Sequence, residues 1–229
     1  MYKKKSKKKS AKKVSPKRTT KKKTTKKSTS KKSSKSKKPV VSTLEYEIDV
    51  RQILLHSRNI FLTGVIDGKL AYKINQELLA LAQIDLKPIA MWINSPGGSI
   101  LDGFSIIDTM QGLSVPVVTF INGLAGSMAG IIAISGYRRV MTENSFFMAH
   151  EMTCGGYDYF EKQDARHHFA TQLNKKLGAW LEEYTNLTRA QVNKAFRAEG
   201  WFNAKECLEY GIIDMIAGPA EREYYDSAK

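Results

Sequence analysis

Residues 89–110 read IAMWINSPGGSILDGFSIIDTM, a short apolar run broken by Pro96-Gly97-Gly98 and followed by an amphipathic stretch. The run Ile89 to Asn94 is strand-like, the proline and glycines read as its stop, and Ser99 is the expected N-cap of a helix through Gln111. A strand that passes directly into a helix is one unit of an α/β domain with parallel strands. The unit recurs on both sides. Strands are expected at Ile60 to Leu62, Val117 to Ile121, Arg139 to Met141, Phe146 to Ala149 and Ile212 to Ile216. Helices are expected over Leu70 to Gln83, Ser127 to Ser135, within Phe160 to Tyr184, and over Arg189 to Ala198 and Ala204 to Tyr210. Gly136 and Gly211 stand where helices should end.

Upstream of this region the composition changes abruptly. The 229 residues carry 37 Lys+Arg against 22 Asp+Glu, a formal net charge of +15. Residues 1–40 hold 20 of those bases, 13 Ser/Thr and no acid, so the other 17 bases face all 22 acids and residues 41–229 are net −5. Such a tail cannot offset its ordering entropy and is expected to be disordered. Its lysine clusters between residues 3 and 38 suit a polyanion, either nucleic acid or an acidic protein, although a solvated solubility tail has the same composition. The organisation expected is a tail over 1–40, one folded domain over 41–218 and a polar C-terminal tail over 219–229. The chain has no run of about 18 apolar residues, so no membrane span is expected. Cys154 and Cys207 make neither a disulfide framework nor a zinc cluster.

Two segments are too glycine-rich for ordinary connections. Asn94 to Ser99 offers bare backbone N–H groups to a ligand oxygen. Asn122 to Gly130 presents one hydroxyl, Ser127, among small residues where a strand gives way to a helix. That serine is open to two readings, a helix N-cap or a nucleophile. Ala125 and Ala129 take the glycine positions of the G-x-S-x-G elbow, which excludes that motif. His150, at the end of the apolar run Phe146 to Ala149, is the candidate general base. By contrast, His56 lies in a connecting segment and His167 and His168 in a polar helix. Trp92, Trp180 and Trp201 read as packing residues.

Taken in order, Phe61-Leu62-Thr63-Gly64, Ile93 to Gly98, Asp108-Thr109-Met110, the Gly-Leu-Ala-Gly-Ser-Met block around Ser127, the strand ending at His150, and Glu209 to Asp214 resemble the ClpP family of Clp protease proteolytic subunits. The resemblance runs from about residue 46 to 216. It implies a crotonase-like fold of repeated β-β-α units, a serine peptidase without metal or organic cofactor, protein or peptide substrates, and assembly into a heptameric ring. It assigns Ser127 as nucleophile, His150 as general base, and the N–H groups of Gly98 and Met128 as oxyanion hole. It also implies a Clp-type ATPase partner and a cytoplasmic setting, bacterial or phage-encoded, with organelle and nucleus left open.

Four features depart from that family. Glu199 stands where the family has the third triad residue, an aspartate, so the backbone must absorb one methylene. Arg197-Ala198 replaces an Asp-Arg pair implicated in contacts between stacked rings, which leaves a double ring open. Glu151-Met152 follows His150 where the family has Gln-Pro. Finally, the basic tail occupies the place of the family's pore-lining loop. Two other tasks stay open on the same fold: a prohead-type maturation protease of a phage or virus, and a catalytically weak structural or DNA-associated subunit.

Overall fold

The computed structural model describes residues 49–152 and 160–218. The expected disorder of residues 1–40, the second Gly-Gly pair at 155–156, Cys154 and the C-terminal tail lie outside the described residues. After a short helix α1 (Val50–His56), capped by Asp49, the chain forms β1 (Asn59–Ile66), α2 (Gly68–Ile84), β2 (Ile89–Gly98) and α3 (Ile100–Gly112). It continues through β3 (Val117–Gly126), α4 (Met128–Ile134), β4 (Arg138–Thr142) and β5 (Phe146–Ala149). The last third is α5 (Phe160–Tyr184), α6 (Arg189–Ala198), β6 (Gly200–Asn203), α7 (Ala204–Glu209) and β7 (Met215–Ala217).

Parallel pairing in the order β1-β2-β3-β4-β7 builds the main sheet. Alternate residues Ile60, Leu62, Ile89, Met91 and Ile93 are buried, as strand period dictates, against apolar faces of α2, α3 and α4. On the opposite face, Val118, Phe120 and Val140 form a smaller cluster, with Trp92 stacked on Phe120 at 4.7 Å between centroids. Arg139 of β4 closes the far edge through a two-pronged pair with Asp214, just before β7.

The strands are longer than their apolar cores. β2 does not stop at Pro96-Gly97-Gly98, and β3 does not stop at Ile121. Register shifts between Thr63 and Val65 and between Ile93 and Ser95 mark where each strand bends and goes on. Beyond the bends, Ile66 pairs with Gly98, Ser95 with Ala125, and Leu124 to Gly126 with Phe146 to Met148 of β5. Thus β3 changes partner, from β4 in its first half to β5 in its second. A bent strand does the work of two, which is the physical content of a β-β-α unit. Antiparallel β6 completes this second layer on β5.

Candidate active site

Polar side chains tie the second half of β2 to β1 and to β3, and the second half of β3 to the turn before β5. Ser95 is 1% exposed; its hydroxyl donates to the Gly64 carbonyl at 2.6 Å and accepts the Gly97 N–H at 3.0 Å. Asn94 Oδ1 accepts the Leu124 N–H at 3.2 Å, and Ser145 Oγ accepts the Gly123 N–H at 2.7 Å. Between these ties the backbones approach too closely for side chains. A Cβ at Gly97, where φ is +99°, would lie 2.6 Å from the Gly126 carbonyl oxygen and 2.7 Å from Ser127 Cβ. At Gly98, with φ +149°, it would lie 2.3 Å from the Ile66 carbonyl oxygen. That carbonyl is taken by the Ser99 N–H at 2.8 Å, which leaves the Gly98 N–H outside the β1 pairing.

The geometry bears on both readings of Ser127. It occupies the N-cap position of α4 but makes no capping bond with its side chain. Its backbone sits at φ +51°, ψ −124°, a region that costs a non-glycine residue about 1–3 kcal/mol and that persists where the surroundings enforce it. The enforcing contacts are the Ser127 N–H donated to the Met148 carbonyl at 2.7 Å and a wholly buried α4 beyond. The next N–H, that of Met128, is at the first helical position, where no intrahelical acceptor exists.

His150 follows directly on β5. It lines a cavity of about 440 Å³ together with Ser127, Pro96, Gly98, Ser99, Ile100, Leu101, Met152, Phe169 and Leu173. Ser127 and His150 also border a smaller adjoining space with Met128, Ile131, Leu177 and Phe196. Among the described residues, neither the His150 ring nor the Ser127 hydroxyl has a hydrogen-bond partner. The other histidines do not reach the cavity: His56 bonds the Gln52 carbonyl, and His167 and His168 are exposed on α5.

Glu199 is brought to the same end of the second layer by strand register. The antiparallel pairs run from Phe146 with Asn203 to Ala149 with Gly200, so His150 and Glu199 are the residues that adjoin the last pair on the two strands. Glu199 itself is exposed, in the left-handed conformation (φ +51°) that ends α6, and its carboxylate has no partner among the described residues. Glu151 points elsewhere, accepting a hydrogen bond from Asn174 on α5 at 3.1 Å.

Two apolar cavity residues on α5 carried no sequence assignment: Phe169 and Leu173. The spacing of Phe169, Leu173 and Leu177, at i, i+4 and i+8, is the signal that places them on one face of α5. Cys207, in contrast, is no candidate. It is wholly buried, and burial pushes its thiol up to about 12, so it carries no thiolate at neutral pH. No helix among the described residues is long and apolar enough to cross a membrane.

Comparison with known proteins agrees with this arrangement. A family model described as Clp protease matches residues 42–220. The ATP-dependent Clp protease proteolytic subunit of Lactococcus lactis subsp. cremoris is 37% identical over 178 residues, covering 75% of this chain and 89% of the relative. Its counterpart from Streptococcus mutans is 38% identical over 178 residues, covering 75% and 90%.

Proposed function

This chain belongs to the Clp protease family, and on that premise we propose that it is a serine endopeptidase whose chemistry is carried by Ser127, His150 and Glu199. In this reading His150 removes the Ser127 proton as Oγ attacks a peptide carbonyl carbon. The resulting oxyanion accepts hydrogen bonds from the N–H groups of Gly98 and Met128. As the C–N bond breaks, His150 returns the proton to the leaving amine. Water then repeats the sequence on the acyl-enzyme, giving its proton to His150 and releasing the carboxylate. Glu199 orients the imidazole from across the strand ladder, its extra methylene taken up by the left-handed turn at the end of α6. No step needs a metal or organic cofactor.

The observation that carries the reading is Ser127 itself: a strained, uncapped serine on the same cavity as His150. Ser127→Ala is expected to lower kcat for peptide cleavage on the order of 10⁵-fold or more, as loss of the nucleophile does elsewhere. A variant that still cleaves peptides would sink the assignment. Labelling of Ser127 by a phosphonate separates a working peptidase from a catalytically weak subunit.

The relatives are subunits of an ATP-dependent protease, and the same quaternary role is proposed here: a ring of copies, heptameric, enclosing the sites and fed unfolded protein by a Clp-type ATPase. The 20 bases of residues 1–40 give that ring a polycationic appendage, which we assign to holding the enzyme on nucleic acid or acidic protein. Deleting residues 1–38 should abolish binding to both at low salt while leaving peptide cleavage intact. Unchanged binding would refute the assignment.

A further inference from the structure

The backbone carrying His150 is held at four points, two on each side of it. Upstream, the Met148 carbonyl accepts the Ser127 N–H at 2.7 Å, and Ala149 pairs with Gly200 in the β5–β6 ladder. Downstream, the Glu151 N–H donates to the Phe196 carbonyl of α6 at 3.0 Å, and the Met152 N–H donates to Asn174 Oδ1 of α5 at 2.9 Å. The first three holds are backbone to backbone. Only the fourth depends on a side chain.

That side chain is used at both ends. While Asn174 Oδ1 accepts from Met152, Asn174 Nδ2 donates to Glu151 Oε1 at 3.1 Å, so one amide spans the two residues that follow His150. Asn174 is half-buried, and its neighbour Leu173 lines the cavity that Ser127 and His150 share. The ring of His150 has no hydrogen bond of its own among the described residues, so the backbone that bears it shares with Glu199 the task of aiming it. We propose that Asn174 is a positioning residue for His150, acting through a latch to Glu151 and Met152. The inference rests on His150 being the general base.

Its test uses the full chain in its assembled form, a fluorogenic peptide, and active sites counted by titration with a fluorophosphonate. A displacement of about 1 Å at a catalytic group can cost on the order of 10²-fold, and loosening one of four holds should cost about tenfold. Asn174→Ala and Asn174→Asp are therefore expected to lower kcat per titrated site about tenfold with KM nearly unchanged. The aspartate variant keeps an acceptor for the Met152 N–H but sets two carboxylates against each other. Adding Glu151→Gln restores a donor: the new amide at 151 donates to the carboxylate at 174, whose second oxygen still accepts from Met152. The double variant should return to within about threefold of the parent.

Parental kcat per titrated site in both single variants would overturn the latch. So would a double variant no better than Asn174→Asp, or effects confined to melting temperature or to the number of titratable sites. His150→Ala in the same assay separates the two ideas. If it abolishes cleavage while the Asn174 variants stay at parental kcat, only the latch fails; if it retains full activity, the base assignment itself has failed.

Discussion

The two halves of the same three strands differ in every respect that matters. Up to the bends, residues 59–63, 89–93 and 117–121 contain no glycine and pack against helices; burial alternates along the first two and is continuous along the third. Past the bends, Gly64, Gly97, Gly98 and Gly123 all adopt positive φ, serine and asparagine side chains replace aliphatic ones, and β2 and β3 end at Gly98 and at Gly126, next to Ser127. The first halves supply burial, which is non-directional and tolerant. The second halves supply directions: a strained serine, bare N–H groups and a histidine at the end of the neighbouring strand. In the proposed reading the chemistry sits on the bent second halves, braced by the packed first halves.

Gly97→Ala should produce the largest contrast between the halves. The added methyl has no room against the Gly126 carbonyl and Ser127 Cβ, so the Gly98 and Ser127 segments must separate. Displacing an oxyanion donor costs kcat on the order of 10²–10³-fold. The expected outcome is a folded, ring-forming protein with that loss in steady-state cleavage. Parental kcat would mean that the close approach has no bearing on catalysis.

Ser95→Ala tests the seam. Its hydroxyl is the one group tied to both Gly64 and Gly97, and its removal leaves a buried N–H without an acceptor. Such a loss costs about 1–3 kcal/mol. Chemical denaturation should show a lower midpoint, and kcat should fall as well because Gly97 is freed. A stability loss with kcat untouched would place Ser95 with the packing half.

What could be read before the fold was known follows the same division. The helix with a capping box, Arg189–Ala198, was legible to its ends, while α5 was legible only as a long helix within Phe160–Tyr184. The first half of each central strand was legible from its aliphatic run. The second halves read as turns, because Pro, Gly, Asn and Ser signal a break and only pairing with neighbouring strands makes them extended. Two short elements, α1 and β6, gave no signal. α1 has seven residues and buries none of them, while β6 is the four-residue run Gly-Trp-Phe-Asn. Ser127 and His150 were singled out by their motifs, but that Glu199 adjoins the end of the β5–β6 ladder near His150 depends on strand register, a tertiary fact.

The smallest effect belongs to the packing half, at the edge where β4 meets β7. Arg139 holds Asp214 with its guanidinium and its own backbone N–H, and also donates to the Gly211 carbonyl at 2.8 Å. Partial burial pushes the Asp214 carboxyl up, but those hydrogen bonds and the nearby positive charges outweigh burial and hold it below the usual carboxylate range. A carboxylate depressed in the folded state contributes stability above its unfolded pKa of about 3.9 and loses it as pH falls through the folded value. An ion pair this exposed is worth about 0.2–1 kcal/mol. Asp214→Asn should therefore lower the melting temperature slightly at pH 7, and the gap to the parent should close as the pH is taken from about 4 towards 3. Cleavage per titrated Ser127 should not change, since the pair touches neither the second halves of the strands nor the cavity. A gap that widened in acid would reverse the sign argued for Asp214, and a fall in kcat would break the separation between the packing half and the half that does chemistry.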